Sequence, residues 1–423
     1  MRILFVGYSH TSIAAGGAQQ VAAEMMRVAL KRGHDATMIV GLESRDARLL
    51  PDDGALSRAP FDPRVSLFTP RFYDPELISC GDARAATTLR EHIRRLRPDV
   101  VHFHHYHRVG AEALVSARLA APAAKVSLTF HEMVAICPAN GQMTKVPSGS
   151  ICPAASPEAC AECAPSHAPA YYAMRAERLR AAFRYCDHLV FPSRSLASIY
   201  QAWGVPAAHC AVIPNGLALA RERRPPSPDL NRFAFFGQMI DNKGLDVALR
   251  ALLHIAETGR VPRSGLEFQV HGANRQFANS GYLERLEDLA GEVQARSGQR
   301  VRIVDRGEYR HAEVGRRMAE VDWVVVPSVW NEVFGLVVSE AWTYGRPVIA
   351  SHVGGLAERI SPGRNGLTFP PGDAVALANH ILAVTGDAAT WRRLSDGIEP
   401  PPDAEQMFDA YERLWKQPGP APR

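Results

Sequence analysis

The stretch Pro327–Gly355, PSVWNEVFGLVVSEAWTYGRPVIASHVGG, decides the reading of the fold. Just before it, Trp323–Val326 is a short, largely β-branched apolar run, which suits a buried strand. Pro327-Ser328 ends that strand. A loop carries Glu332, and Phe334-Gly335 opens a helix expected to run to about Tyr344. Gly345 stops the helix, and Pro347–Ser351 is the next strand.

Two carboxylates stand in this unit with seven residues between them. Glu332 precedes the helix and Glu340 lies inside it, so they face different parts of a bound molecule. The backbone N–H groups around Phe334, Gly335 and Leu336 are the unpaired donors of a helix start, which suits a phosphate. Each residue taken alone also fits an ordinary solvated charge or turn; the combination at a strand–helix junction favours a ligand site.

The same alternation extends in both directions. Residues 2–8 read as a strand, SHTSIAAGGAQ as a loop, and a helix follows with Val21, Met25, Val28 and Ala29 at helical spacing. DATMIVG, 35–41, is the next strand, so the chain opens on a Rossmann-type unit. Its glycines are Gly16-Gly17 and not G-x-G-x-x-G, which gives no dinucleotide fingerprint. Residues 42–88 read as irregular apart from a strand near Val65–Phe68. DVVHFHHYH, 99–107, is a buried strand ending in His102, His104, His105 and His107. A metal there is disfavoured, because alternate strand residues point to opposite sides. KVSLTFHE, 125–132, ends at His131, a position where parallel sheets bind ligands; a structural histidine is the equal alternative.

Beyond a helix at 170–186 and strands at 188–193 and 210–216, the polar, Pro-rich RERRPPSPD marks a domain boundary. Domains are expected at 1–217 and 230–400. The second restarts with strands at 233–238, 266–272, 300–307 and 322–328, followed by one at 365–373. In it, the loop from Gly237 through Gln238 to Lys243-Gly244 puts an ammonium beside a strand end and a helix start, which suits a diphosphate. DAEQMFDAYERLWKQ, 403–417, is an amphipathic helix with Met407, Phe408, Tyr411 and Leu414 on one side. The tail QPGPAPR reads as disordered. The fold class is α/β, with two Rossmann-like domains facing across a cleft, the natural ligand site.

With 423 residues, 46% hydrophobic and 22% charged, the chain has the composition of a two-domain globular protein. A net charge of +4 is too small to imply nucleic acid. Residues 1–215 hold 23 Lys and Arg against 18 Asp and Glu. Their basic helices, such as 89–98 and 175–184, read as solvated faces, or alternatively as a surface for an anionic lipid or acceptor. No apolar run approaches a membrane span, and MRILFVGYSH reads as a strand and not a signal peptide, so a cytoplasmic location is expected.

Four cysteines crowd one segment, 137–163: Cys137, Cys152, Cys160 and Cys163. The spacing C-x14-C-x7-C-x2-C resembles a structural zinc site; four unconnected thiols in a long loop is the other reading. Cys80, Cys186 and Cys210 read as ordinary buried residues.

The pattern P-S-x-x-x-E-x-F-G-x-x-x-x-E-A, continued by G-x-P-V-I-A-S and G-G, resembles the signature of the family 4 retaining glycosyltransferases, which have the GT-B fold. A branch of that family carries a similar Cys-rich insert. The resemblance implies transfer of a sugar, with retention, from a nucleotide-sugar to a glycan, a lipid-linked glycan or a small molecule, as in cell-surface polysaccharide or glycoconjugate synthesis. It implies no catalytic cofactor. It assigns sugar contacts to Glu332 and His131, the diphosphate to Lys243 and the Phe334–Leu336 amides, and the ribose to Glu340. Gly16-Gly17 match the family's glycines beside the donor phosphates. The final helix would cross back to the first domain, and peripheral association with the inner membrane face is conceivable. Two departures are visible: Gln238 stands where the family has Arg, and Glu132 where Asp is more usual. Gln donates a hydrogen bond but brings no charge, so Lys243 is left as the main cation. The alternatives are a nucleotide-sugar epimerase and a non-catalytic sugar-nucleotide-binding subunit; a phosphorylase lacks a motif for its pyridoxal lysine.

Overall fold

The computed structural model describes residues 1–14, 16–42, 55–220, 225–273, 275 and 278–417. Parts of four expected segments lie outside these: 15 of the loop before the first helix, 43–54 of the irregular stretch, 221–224 of the connection, and 418–423 of the tail. The chain divides into two units, Met1–Ala218 with Pro402–Arg423, and Leu219–Pro401.

The strands of the first unit are β1 (Arg2–Gly7), β2 (Asp35–Gly41), β3 (Leu56–Arg58), β4 (Val65–Phe68), β5 (Tyr73–Asp74), β6 (Ser79–Cys80), β7 (Val100–Phe103), β8 (Lys125–Thr129), β9 (His188–Phe191) and β10 (Cys210–Val212). Its helices are α1 (Gly17–Lys31), α2 (Ala83–Leu96), α3 (Glu112–Ala120), α4 (Pro157–Cys163), α5 (Pro169–Phe183) and α6 (Arg194–Ala202). The main sheet runs β10-β9-β8-β7-β1-β2-β4-β3, parallel except for the edge strand β3; β5 and β6 pair separately. β1 is buried from Ile3 to Gly7, as a strand covered by helices on both faces must be.

The second unit holds β11 (Arg232–Gln238), α7 (Leu245–Glu257), β12 (Leu266–Ala273), α8 (Ser280–Arg296), β13 (Val301–Asp305), α9 (Val314–Ala319), β14 (Trp323–Val326), α10 (Leu336–Thr343), β15 (Val348–Ser351), α11 (Gly354–Arg359), β16 (Gly366–Phe369), α12 (Ala374–Val384) and α13 (Ala388–Asp396). Its sheet is wholly parallel in the order β13-β12-β11-β14-β15-β16. That is the doubly wound 3-2-1-4-5-6 order, whose ligand crevice opens where the winding reverses. The reversal lies between β11 and β14. In the first unit the corresponding point lies between β1 and β7.

α14 (Ala404–Lys416) belongs to the first unit, where it packs on α1. A capping box between Asp403 and Gln406 starts it. Arg32, at the end of α1, donates to Glu405 at 2.7 Å and to Asp409 at 2.6 Å. Gly216 is required beneath this helix start, since a Cβ there would lie 2.1 Å from the Asp403 carbonyl oxygen. The buried side of α14 is Met407, Phe408, Tyr411 and Trp415. Leu414, expected on that side, is only half-buried, because Trp415 takes the place against His102.

Candidate functional site

Both loops at the β11/β14 reversal carry polar groups that meet. After β11, a turn of 3-10 helix over Asp241–Lys243 presents Lys243, and Gly244 follows with φ +69°. A Cβ on Gly244 would lie 2.0 Å from the Pro327 carbonyl oxygen, so only glycine lets this turn lie against the end of β14. After β14, the loop turns Glu332 back. The residue is 9% exposed, and its carboxylate accepts from Lys243 Nζ at 2.8 Å, Ser328 Oγ at 3.0 Å and Trp330 Nε1 at 3.0 Å. Lys243 also sits 5.0 Å over the Trp330 ring.

α10 begins at Leu336 with Gly335 as its N-cap, φ +77°, and no side-chain cap. By contrast α2, α6, α12 and α13 are each capped by an Asp or Ser oxygen. Phe334, Gly335 and Leu336 therefore form the expected open helix start, one residue later than the sequence places it. Glu340 lies on the buried side of α10. Burial pushes its carboxyl up to about 7, and its Oε2 has no hydrogen-bond partner. A buried acceptor left this way is costly unless a ligand supplies the donor. Tyr309 lies close by, its phenol held well up by burial and by Glu340's charge. Gln238 ends β11, half-buried.

In the first unit, His131 follows β8 and its Nε2 lies 3.2 Å from His104 Nδ1. The His104 ring stacks on His102 at 4.5 Å and on His131 at 5.5 Å. His102 in turn bonds Thr129 at 2.8 Å, and Thr129 bonds Tyr411 of α14 at 2.8 Å. Burial holds His131 down to about 4 and His102 down to about 3, so this tier is neutral at physiological pH. The His104 and His102 side chains share one side of their strand end, as a two-residue period requires, while His105 turns toward Glu132 at 3.8 Å. Glu132 is pushed up to about 7 by burial, opposed by a bond from the Val134 N–H. Gly16-Gly17 stand at the uncapped start of α1. Beside them Gln19 donates to the Tyr8 hydroxyl at 2.8 Å, and Arg108 donates to the Tyr8 carbonyl at 2.8 Å.

The fold brings the four cysteines of the 137–163 segment together. Cys137, Cys152, Cys160 and Cys163 all line one cavity of about 20 Å³. Among the described residues no group of three His, Cys, Asp or Glu side chains is placed to hold a metal ion. Cys137 donates to Asn140 Oδ1 and Cys152 to the Ala154 carbonyl, both at 3.2 Å. Burial raises Cys160 to about 11, and the neighbouring Cys137, Cys152 and Cys163 act in the same direction. Cys80 and Cys210, expected buried, are half-buried; Cys186 is buried.

Several site residues were not legible in the sequence. Ser328 and Trp330 bond Glu332 through a loop whose path has no periodicity to read. His104 is paired to His131 from a different strand. Arg359, at the end of α11, bonds the Phe334 and Gly335 carbonyls from 25 and 24 residues away.

Comparison with known proteins bears on this arrangement. The profile described as "Glycosyltransferase Family 4" matches residues 15–221, and that described as "Glycosyl transferases group 1" matches residues 231–387. Among curated proteins, the chain is 31% identical over 185 residues to a D-inositol 3-phosphate glycosyltransferase of Streptomyces bingchenggensis, covering 43% of this chain and 39% of that protein. It is 29% identical over 214 residues to the glycogen synthase of Mycobacterium tuberculosis, covering 50% and 48%. The alignments thus span about half or less of these relatives. Among solved structures, Anabaena HepE in complex with UDP-glucose superposes with a TM-score of 0.67 at 18% identity, covering 99% of this chain and 100% of that one. Sucrose-phosphate synthase from Thermosynechococcus elongatus gives 0.66 at 20% identity, covering 99% of each. These two establish the GT-B fold.

Proposed function

Taking as premise that the chain belongs to the family 4 glycosyltransferases, through a family 4 domain followed by a group 1 domain, we propose that it transfers a sugar from a nucleotide-sugar with retention at the anomeric carbon. The observation that carries this is the meeting of Lys243 and Glu332 at the sheet reversal, beside the uncapped start of α10. The diphosphate leaving group is stabilised by the Lys243 ammonium and the N–H groups of Phe334–Leu336. Glu332 accepts hydroxyls of the transferred sugar, and the unpartnered Glu340 carboxyl accepts from the ribose. His131 contacts the sugar as a neutral imidazole, and Gly16-Gly17 serve the donor phosphates. HepE is bound to UDP-glucose in its crystals, which supports a uridine nucleotide as the first donor to try. The acceptor in this reading is a glycan, a lipid-linked glycan or a small molecule. The arginines of α2 supply the positive face for an anionic membrane or acceptor in the cytoplasm. No described helix is long and apolar enough to cross a membrane.

A panel of nucleotide-sugars tests the reading. One member is expected to raise the melting temperature and to be hydrolysed slowly without acceptor. A panel that neither binds nor turns over would overturn the proposal. Release of a free epimerised sugar from UDP-GlcNAc would replace it with an epimerase.

A further inference from the structure

α11 grips the Glu332–Leu336 loop at both of its ends. At its start, the Gly355 N–H donates to the Glu332 carbonyl at 2.6 Å. Gly354, φ +51°, leaves room for the loop backbone, because a Cβ there would lie 2.5 Å from the same oxygen. At its end stands Arg359, where an amphipathic helix facing a core would carry an apolar residue. The guanidinium lies 3.9 Å from the Phe334 ring centroid and 5.2 Å from that of Trp342. One nitrogen, Nη1, donates to the Phe334 carbonyl at 3.0 Å and to the Gly335 carbonyl at 2.8 Å; Nη2 donates to Ser339 Oγ at 2.7 Å. The three acceptors are neutral.

Planar peptides fix what this does. In a trans peptide the C=O and the following N–H point in opposite directions. The cis bond among the described residues is Val146-Pro147, so both peptides of this loop are trans. Holding the Phe334 carbonyl toward Arg359 therefore turns the Gly335 N–H away from it. Holding the Gly335 carbonyl turns the Leu336 N–H away likewise. Those two N–H groups are the open donors of the α10 start. A flexible glycine in the left-handed region would otherwise leave both planes free to rotate. The cation behind them also adds positive potential at the start of α10.

We propose that Arg359 is a positioning residue that locks the Phe334–Gly335 and Gly335–Leu336 peptide planes with their N–H groups aimed at the diphosphate of a nucleotide ligand. This rests on the donor reading above and assigns the phosphate-binding share of that site to a side chain that does not touch the ligand. The planar fork matters, since one guanidinium serves two carbonyls and a hydroxyl at once, which an ammonium does with poorer geometry.

The test compares a nucleoside diphosphate with its own nucleoside. UDP, GDP and ADP are titrated calorimetrically into the full-length wild-type chain, and the tightest binder is carried forward. In Arg359→Met, which keeps an apolar stem against Phe334, affinity for the diphosphate is expected to fall about tenfold while affinity for the nucleoside stays within about twofold. Arg359→Lys should fall about threefold for the diphosphate alone, and it carries the test should the Met variant not fold. Unchanged diphosphate affinity in the variants would overturn the proposal, as would a parallel loss for the nucleoside. A wild-type protein that binds none of the three overturns the donor reading and this inference with it.

Discussion

Lys243 Nζ lies 2.8 Å from one carboxylate oxygen of Glu332 and 3.1 Å from the other, joining the loops after β11 and β14. The pair is asymmetric. The Lys243 side chain keeps 22% exposure and the Glu332 side chain 10%. Removing the acid lets the ammonium turn to water, whereas removing the base leaves a carboxylate enclosed with neutral donors.

That asymmetry gives an order of variants. Glu332→Gln keeps acceptors for Ser328 and Trp330 and is expected to cost about 1–2 kcal/mol, below the roughly 3–5 of a fully buried pair. Lys243→Met should cost more, about 2–4 kcal/mol. Denaturant titration checks the order. Transfer should fall at least about 100-fold in Glu332→Gln, and wild-type turnover there would sink the site assignment.

Glu340 sets a pH dependence. Its folded pKa of about 7 lies above its ordinary 4.5. Between these values the unfolded chain gives up the proton while the folded chain keeps it. Stability is therefore highest below about 4.5 on this account and is lost as pH rises to 7, by up to about 3 kcal/mol. In Glu340→Gln this share of the loss should vanish from melting curves recorded over that range. Donor affinity should rise in wild type as pH passes 7, because the ionised carboxylate accepts from both ribose hydroxyls, and should be flat in the variant.

The histidine tier acts with the opposite sign. His131 titrates near 4 when folded and near 6.5 ordinarily. Between 6.5 and 4 the unfolded chain takes up a proton that the folded chain refuses, so stability falls as pH drops through that window. His131→Asn should shrink the fall by about 2–3 kcal/mol, read by thermal melts at pH 7 and pH 4.5. An unchanged acid slope would contradict the buried, neutral tier.

Gly244 is a steric fulcrum. Gly244→Ala adds a Cβ 2.0 Å from the Pro327 carbonyl oxygen at φ +69°. It is expected to cost at least about 3 kcal/mol. Gly33→Ala, at φ +78° with no atom within 4 Å, is the control and should cost about 1 kcal/mol. Equal losses in a urea titration would show that φ alone, and not the approach of the two loops, accounts for the effect.

How much of this was readable from the residues differs along the chain. The strands at 35–41 and 65–68 fall where the apolar pattern places them. Helix ends were read less well: α10 opens at Leu336, since Phe334 packs its ring under Arg359 and does not join the helix. The cysteine spacing was legible, and the fold brings all four residues to one cavity; the local bonds of Cys137 and Cys152 were not legible, because spacing says nothing of side-chain partners.

By itself the sequence determined what is local: alternation of short β-branched runs with amphipathic helices, glycine-marked helix starts, and two carboxylates at a fixed interval around one of them. Each element is set by residues close in the chain, so period and punctuation suffice to find it, although not to order the strands. Only the tertiary structure decided which side chains face the Pro327–Gly355 loop. Lys243 reaches Glu332 across 89 residues, and Arg359 reaches back to two carbonyls from the next helix. Those meetings depend on strand order and on where a backbone without Cβ atoms can pass, which no local pattern encodes.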